Sequence, residues 1–306
     1  MLKPGKLSSD SSIWCGLNRP DLSCETADLT VFGIPYDSDI SGRSGTAKAP
    51  EVLREVSAQS SPFNEEFLSF EDLTIFDAGD FVPSGGIDEY FASIESFTKE
   101  LVSGGHFFIM TGGDHSASIP VLKGIDDALD EDFGIIYIDA HFDLHDEVRG
   151  DKFAATSVAR RALELKNISG PENIVFIGTR TVDREEHAFM TSRELNCFNS
   201  VLCHRIESDR IGTMAAKKLK DYNKVYLTLD VDCLDPAYAA GVSHPQFAGL
   251  YGRQLLNILH ELFRNLNIIG MDIVEMAPDL DPGVNLCSQK DFPRILCPLC
   301  AKAWQT

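Results

Sequence analysis

The sequence predicts an α/β protein with a single domain built around a mostly parallel β-sheet. Short apolar or β-branched runs alternate with segments of helical periodicity, which is typical of a parallel α/β sheet. Several of these runs are apolar at nearly every position, as expected for strands that are covered on both faces. No segment rich in proline, glycine or serine divides the 306-residue chain.

The predicted elements follow one another in regular alternation. Strands are predicted at residues 29–34, 73–76, 106–110, 134–138, 173–177, 224–229 and 267–274. The first helix begins near Pro50, since proline suits a first helical turn. Further helices are predicted at 87–102, 119–129, 157–165, 211–222 and 253–265. We expect residues 1–28 to form an irregular N-terminal arm and residues 29–306 to form the domain.

The composition excludes several classes of protein. With 27 Lys and Arg against 47 Asp and Glu, the net charge is −20, which argues against nucleic-acid binding and against attachment to anionic lipid. This charge is compatible with a cationic substrate, although solubility alone would explain it equally well. No run of apolar residues is long enough to span a membrane, and residues 1–10 lack the apolar region of a signal peptide. We therefore expect a cytoplasmic protein, with the eight cysteines mostly as free thiols.

Three predicted strands end in carboxylate or histidine side chains, at the sheet edge where α/β proteins bind ligands. They are His115 after the strand at 106–110, Asp139, His141 and Asp143 after the strand at 134–138, and Asp230 and Asp232 after the strand at 224–229. Alternation along an extended chain puts the members of each run on one face. Burying so many charges is costly unless a metal ion compensates them. Two imidazoles and four carboxylates suit manganese, and also iron(II), cobalt(II), nickel or zinc.

The number of candidate ligands favours a pair of metals. Six side chains are too many for one catalytic metal with an open position, whereas two metals can share bridging carboxylates. Such a pair can lower the pKa of a shared water and direct it at an electrophile. The absence of cysteine from the set argues against a structural zinc site. A single D-x-D pair is often only a solvated loop, so the prediction depends on the three clusters together.

Five segments resemble the signatures of the ureohydrolases of the arginase/agmatinase family, in the family's order over roughly residues 29–282. They are FGIPYD at 32–37 with GRSGT at 42–46, GGDHS at 112–116, DAHFD at 139–143, DVDCLDP at 230–236 and GMDIVE at 270–275. Phe142 stands where threonine is commoner in the family. The resemblance implies an arginase-like, three-layer α/β/α catalytic domain over residues 29–306. It also implies two manganese ions per subunit and cleavage of a guanidinium group to urea and an amine.

The resemblance assigns roles residue by residue. One manganese ion is implied at His115, Asp139, Asp143 and Asp230, and the other at Asp139, His141, Asp230 and Asp232, so that Asp139 and Asp230 bridge. Asp143 is also implied to accept a proton and pass it to the leaving amine. Glu275 is expected to pair with the substrate guanidinium, whose forked donors suit a carboxylate. Asp272 and Asp114 are expected to have supporting roles.

The chain departs from the family pattern in its loops. A further histidine that the family uses as a proposed proton shuttle is missing, and Ala155 matches its position. His145 in the same loop is a candidate replacement and a candidate substrate contact. His244, in the loop after the second aspartate pair, is a candidate substrate contact only. The arginase residues that hold the amino-acid end of arginine are not recognisable here, which favours agmatine. Arg149 could instead clamp the carboxylate of guanidinobutyrate, or be a solvated loop residue.

We therefore expect manganese-dependent hydrolysis of agmatine to putrescine and urea. The alternatives are guanidinobutyrase, arginase or formiminoglutamase activity, or a non-catalytic relative that acts as a binding or regulatory subunit. Only the missing histidine supports the non-catalytic alternative. The resemblance also implies a homo-oligomer, either a trimer or a hexamer. The C-x-x-C at Cys297 and Cys300 has no second pair at zinc spacing, so we interpret these cysteines as incidental thiols.

Overall fold

A computed structural model of the chain describes residues 9–38, 42–83 and 85–281. At its centre is an eight-stranded sheet in which every pair of neighbouring strands is parallel. The strands are β1 (Leu29–Ile34), β2 (Ile75–Asp80), β3 (Phe108–Gly112), β4 (Gly134–Ile138), β5 (Ile174–Ile177), β6 (Asn196–Phe198), β7 (Val225–Asp230) and β8 (Ile268–Val274). Their spatial order is β2-β1-β3-β8-β7-β4-β5-β6.

Helices cover both faces of this sheet. They are α1 (Ile13–Gly16), α2 (Ala49–Ser57), α3 (Ile87–Ser103), α4 (Ser118–Ala128), α5 (Val158–Ala162), α6 (Arg184–Thr191), α7 (Ser200–Arg205), α8 (Ser208–Lys218) and α9 (Gly252–Asn265). One apolar core contains residues of α8 and α9, and a second contains residues of α3 and α4. The three-layer α/β/α fold expected from the sequence is therefore confirmed.

Strand β4 shows why the central strands are apolar at every position. All five of its residues are buried. Ile136 and Ile138 belong to the first core, whereas Ile135 and Tyr137 belong to the second. Because successive side chains of a strand point to opposite faces, both faces of a covered sheet need apolar residues.

Short and edge elements account for most differences from the sequence prediction. Strand β2 begins and ends later than the predicted 73–76, and α8 ends before the predicted 211–222. Strand β6, which pairs only with β5, and helices α6 and α7 were not predicted. Three to eight residues are too few for hydrophobic periodicity to distinguish an element from a loop. No helix in the described part of the chain is long and apolar enough to cross a membrane.

A buried tryptophan joins the segment before β1 to the core. Trp14 is fully buried, and its indole N–H donates to Asp77 Oδ2 at 2.7 Å. The guanidinium of Arg54 on α2 also binds Asp77, so the carboxylate is paired although it is buried. Of the eight cysteines, Cys297, Cys300 and Cys287 lie outside the described residues.

Candidate active site

Four adjacent strands at the centre of the sheet carry the candidate site at their carboxyl ends. The strands lie in the order β3-β8-β7-β4. His115 follows β3, Glu275 follows β8, Asp230 is the last residue of β7 and Asp139 follows β4. In a parallel sheet these ends meet at one edge, so residues far apart in the chain become neighbours.

His115 lies at the centre of the first group of candidate ligands. Its Nδ1 atom is 3.1 Å from Asp139 Oδ2, 3.1 Å from Asp143 Oδ2 and 3.4 Å from Asp230 Oδ2. The side chains in this group are almost completely buried. Three of them, His115, Asp139 and Asp143, have ligand atoms close enough together to hold one metal ion.

His141 is at the centre of the second group. Its Nδ1 atom is 3.3 Å from Asp139 Oδ1 and 3.1 Å from Asp232 Oδ2. His141, Asp139 and Asp232 could also hold one ion. Asp139 therefore belongs to both groups and directs one carboxylate oxygen to each histidine. Asp230 faces His115 with Oδ2, while its Oδ1 accepts a hydrogen bond from the backbone N–H of Asp232.

The electrostatics of these residues fit divalent cations. Burial and the charges of Asp143 and Asp232 raise the pKa of Asp139. Burial and the charges of Asp232 and Asp139 raise the pKa of Asp230 well above its ordinary value. Asp139 Oδ2 is buried without a hydrogen bond to any residue in the described part of the chain. The negative charges of these clustered carboxylates repel one another, and one of their oxygens lacks a hydrogen-bond donor. Bound cations would neutralise the charges and coordinate that oxygen.

The same carboxylates favour protonated histidines when no metal is bound. Burial alone would lower the pKa of His141, but the charge of Asp232 and the hydrogen bonds to Asp139 and Asp232 raise it to about 12. Burial likewise opposes protonation of His115, and the close approach of three aspartate carboxylates to its Nδ1 raises its pKa well above the ordinary value. Protons and metal ions therefore compete for this site.

A buried series of side-chain hydrogen bonds supports the ring of His115 on the side away from the aspartates that face its Nδ1 atom. Its Nε2 atom is 2.9 Å from Thr228 Oγ1, and that hydroxyl donates to Asp272 Oδ1 at 2.6 Å. The Tyr226 hydroxyl donates to the other oxygen of Asp272 at 2.7 Å. The supporting position expected for Asp272 agrees with this geometry. Tyr226 and Thr228 were missed, although alternation along β7 puts them on the same face as Asp230.

Tyr137 is a second residue that the sequence analysis missed. Its hydroxyl donates to Asp143 Oδ2 at 2.6 Å, and its ring stacks on the imidazole of His115 with centroids 5.0 Å apart. Asp143 itself has a positive φ of 50°, a conformation that is uncommon outside glycine, although aspartate adopts it more readily than most residues. Tyr137 lies two residues before Asp139 on β4, so strand alternation could have indicated its direction.

Glu275 presents an unused oxygen inside the site. Its backbone has a φ of 66°, and its N–H donates to Gly113 O at 2.8 Å. Its Oε1 atom accepts a hydrogen bond from the backbone N–H of His115 at 2.8 Å, while Oε2 is buried with no hydrogen bond to any described residue. Burial and the charge of Asp114 raise the pKa of Glu275 well above its ordinary value. A cationic partner would favour the ionised form of this carboxylate.

The loop histidines lie outside the six-residue cluster. His145 Nε2 is 3.2 Å from Asp183 Oδ2, and its Nδ1 is 3.7 Å from Glu185 Oε2, so its ring faces exposed carboxylates. The ring of His244 lies 5.8 Å from that of His141, edge to face. Ala155 is buried and supplies only a methyl group, and Arg149 is exposed.

Comparisons with known proteins show the family and the fold to which the chain is similar. The family model described as "Arginase family" matches residues 27–288. The agmatinase of Bacillus subtilis (strain 168) is 32% identical over 86% of this chain and 88% of its own length. The crystal structure of the agmatine ureohydrolase of Thermoplasma volcanium has a TM-score of 0.81 at 28% identity, covering 94% of this chain and 93% of that one. The formimidoylglutamase of Bacillus subtilis has a TM-score of 0.85 at 20% identity, covering 99% and 96%, and shares the fold.

Proposed function

Since this chain belongs to the Arginase family and is a ureohydrolase, we propose that it hydrolyses agmatine to putrescine and urea with two manganese ions. The observation that carries the proposal is the pair of histidine–carboxylate groups that share Asp139. One carboxylate between two groups of ligands is the arrangement that a dinuclear site requires. The nitrogen and oxygen donors suit manganese.

Six side chains would hold the metal pair. We assign one ion to His115, Asp139, Asp143 and Asp230, and the other to Asp139, His141, Asp230 and Asp232. The chemistry that such a pair supplies when bound is a water of lowered pKa, ready to attack a carbon electrophile at neutral pH. Burial of the carboxylates strengthens every charge interaction around that water.

Glu275 would bind and orient the guanidinium group. Its Oε2 atom has no hydrogen bond, and its Oε1 already accepts one from the backbone of His115. A buried carboxylate held in this way offers an ionic hydrogen bond at a fixed place beside the ligands. Asp143 would accept a proton of the attacking water at Oδ2 and pass it to the leaving amine, and the Tyr137 hydroxyl donates a hydrogen bond to that oxygen.

The charges around His145 favour agmatine among the guanidino substrates. His145, two residues after Asp143, is surrounded by the exposed carboxylates of Asp183 and Glu185. Exposed carboxylates this close in the chain to the candidate ligand Asp143 favour a substrate with a second cationic group over guanidinobutyrate, whose tail is an anion. The relatives named agmatinase support the same choice. A trimer or hexamer is also part of the proposal, and light scattering of the purified protein would test it.

Release of urea from a panel of substrates tests the proposed reaction. Manganese-loaded protein is incubated separately with agmatine, guanidinobutyrate, arginine and formiminoglutamate, and chelator-treated protein is the control. We expect urea and putrescine from agmatine at the highest kcat/KM, and no product in the control. If urea is released mainly from another guanidino compound, that compound replaces agmatine as the assigned substrate. Failure with every guanidine despite two bound metals would contradict the proposal, and formamide from formiminoglutamate would replace it.

A further inference from the structure

His141 has an outer nitrogen as well as the one that faces the carboxylates. Both of its carboxylate contacts, to Asp139 and Asp232, use Nδ1. The Nε2 atom points the other way and lies 3.3 Å from the amide Nε2 of Gln246. Gln246 is half-buried in the loop between β7 and α9. It is the hydrogen-bond partner of the outer nitrogen of His141 in the described part of the chain.

Arg180 fixes this part of the loop against the backbone of a candidate metal ligand. One guanidinium nitrogen, Nη2, donates to the carbonyl oxygens of Gln246 and Asp232, both at 2.8 Å. Its Nε donates to the carbonyl oxygen of Phe247 at 3.1 Å. Ala248, the residue after Phe247, has a φ of 63°, a backbone conformation that is uncommon for residues other than glycine. The Gln246 backbone is therefore held at a defined distance from Asp232.

The chemistry of imidazole decides which amide atom must face His141. When Nδ1 binds a metal it carries no proton, so the proton of the neutral ring is on Nε2, which must donate. When no metal is bound, both nitrogens of the protonated ring are hydrogen-bond donors. The partner of Nε2 must therefore be an acceptor in this state too. The oxygen and nitrogen of a glutamine amide exchange places by a 180° rotation. Gln246 Oε1 can therefore take the place of its Nε2 and accept this hydrogen bond.

We propose that Gln246 is a positioning residue that accepts the Nε2–H of His141 and keeps Nδ1 directed at Asp139 and Asp232. This inference rests on the proposed metal pair and concerns the ion assigned to His141. The two histidines differ in their surroundings, because the His115 side chain is 1% exposed and that of His141 is 19% exposed. Outer partners of metal-binding histidines typically change metal affinity by about 10–100-fold. Gln246 thus sets the affinity for the metal ion that is assigned to His141, the more exposed of the two histidines.

Manganese binding to metal-free protein tests this role without relying on turnover. The variants are Gln246→Leu, which removes the acceptor, and Gln246→Glu, which keeps one. Phe247→Ala is the matched control, because that side chain is 88% exposed on the next residue. Calorimetric titration with Mn²⁺ reports the two affinities. Thermal unfolding of the metal-free variants checks that each is folded.

We expect wild type and Phe247→Ala to bind two ions with the same affinities. In Gln246→Leu one affinity should fall by about 10–100-fold while the other is unchanged, and Gln246→Glu should restore it. Two unchanged affinities in Gln246→Leu would overturn the inference and leave the proposed function intact. Equal loss of both affinities, without rescue by glutamate, would reveal a merely structural role and also overturn it. A wild type that binds no Mn²⁺ would overturn the proposed function and this inference with it.

Discussion

Asp139 is the residue on which the two candidate metal groups depend. Its two carboxylate oxygens face different histidines, at 3.1 Å and 3.3 Å. The D-x-H-x-D spacing predicts that Asp139 and His141 share one strand end, and this prediction needs no tertiary information. That Asp139 also approaches His115 depends on the order of the strands, which the sequence alone does not give.

The first prediction concerns the proposed bridging ligand Asp230. Asp230→Ala should abolish binding of the metal pair and turnover, because the remaining ligands cannot hold two cations close together. The affinity for Mn²⁺ should fall by more than about 100-fold, since even outer partners of ligands contribute 10–100-fold. Calorimetric titration and urea release measure both effects. Asp221→Ala is the control, since that side chain is 86% exposed. Two bound ions and full activity in Asp230→Ala would disprove the dinuclear assignment.

A second prediction separates substrate binding from metal binding at Glu275. Glu275→Gln keeps the size of the side chain and removes its charge, so the guanidinium loses an ionic partner. Losing one member of a buried charged pair costs about 2–5 kcal/mol, which corresponds to a loss of roughly 30- to 4,000-fold in kcat/KM. The two Mn²⁺ affinities should stay within a few-fold of wild type. An unchanged kcat/KM for agmatine would show that Glu275 does not contact the guanidinium.

At the scale of elements, neighbouring strands supply the support beneath His115. Thr228 on β7 and Asp272 on β8 are paired in the register of the two strands. The sequence analysis identified Asp272 as a supporting residue, but it could not identify Thr228 as its partner. Alternation gives the face on which a side chain lies, whereas the partner depends on strand order and register. The short elements β6, α6 and α7 were missed because their sequences contain too few periods of the pattern.

The third prediction tests that paired support. Thr228→Val keeps the shape of the side chain and removes the hydroxyl that joins His115 to Asp272. The buried Asp272 then loses a donor, so we expect the free energy of unfolding of the metal-free protein to fall by about 1–3 kcal/mol. Denaturant unfolding measures this change. One Mn²⁺ affinity should also fall by about 10–100-fold. Thr213→Val is the control on the exposed surface of α8, and an equal effect there would contradict the assignment.

At the scale of the whole molecule, the order of the strands assembles the site. The four strands that carry candidate catalytic and metal-binding residues are adjacent at the centre of the sheet. The alternation of strands and helices predicts the parallel sheet, and acidic strand ends predict which edge binds ligands. The loops are different, because an irregular segment has no periodicity that gives the direction of its side chains. For this reason the roles of the loop residues His145 and His244 stay predictions, and the sequence does not single out Gln246 as a neighbour of His141.

A fourth prediction concerns the stability of the whole protein as a function of pH. In the absence of metal the pKa values of Asp139, Asp230 and Glu275 are raised, so their contribution to stability is lost as pH rises through those values. The pKa of His141 is raised to about 12, so its favourable contribution persists across the neutral range. Added Mn²⁺ compensates the ionised carboxylates and competes better when fewer protons are bound.

We therefore expect Mn²⁺ to raise the Tm by an amount that grows between about pH 5 and pH 8. Differential scanning fluorimetry with and without the metal measures this increase, and Ca²⁺ controls for general screening by divalent ions. An increase in Tm that is constant over this range would indicate that the metal does not bind at the carboxylate cluster.

The central claim is that two manganese ions, held by the groups that share Asp139, cleave a guanidinium group. The most direct measurement is the rate of urea release from agmatine while Mn²⁺ is added stepwise to metal-free protein. We expect no urea without metal and a rate that reaches its plateau at two equivalents per chain. Full activity without metal, a plateau at one equivalent, or no urea with both ions bound would contradict the central claim.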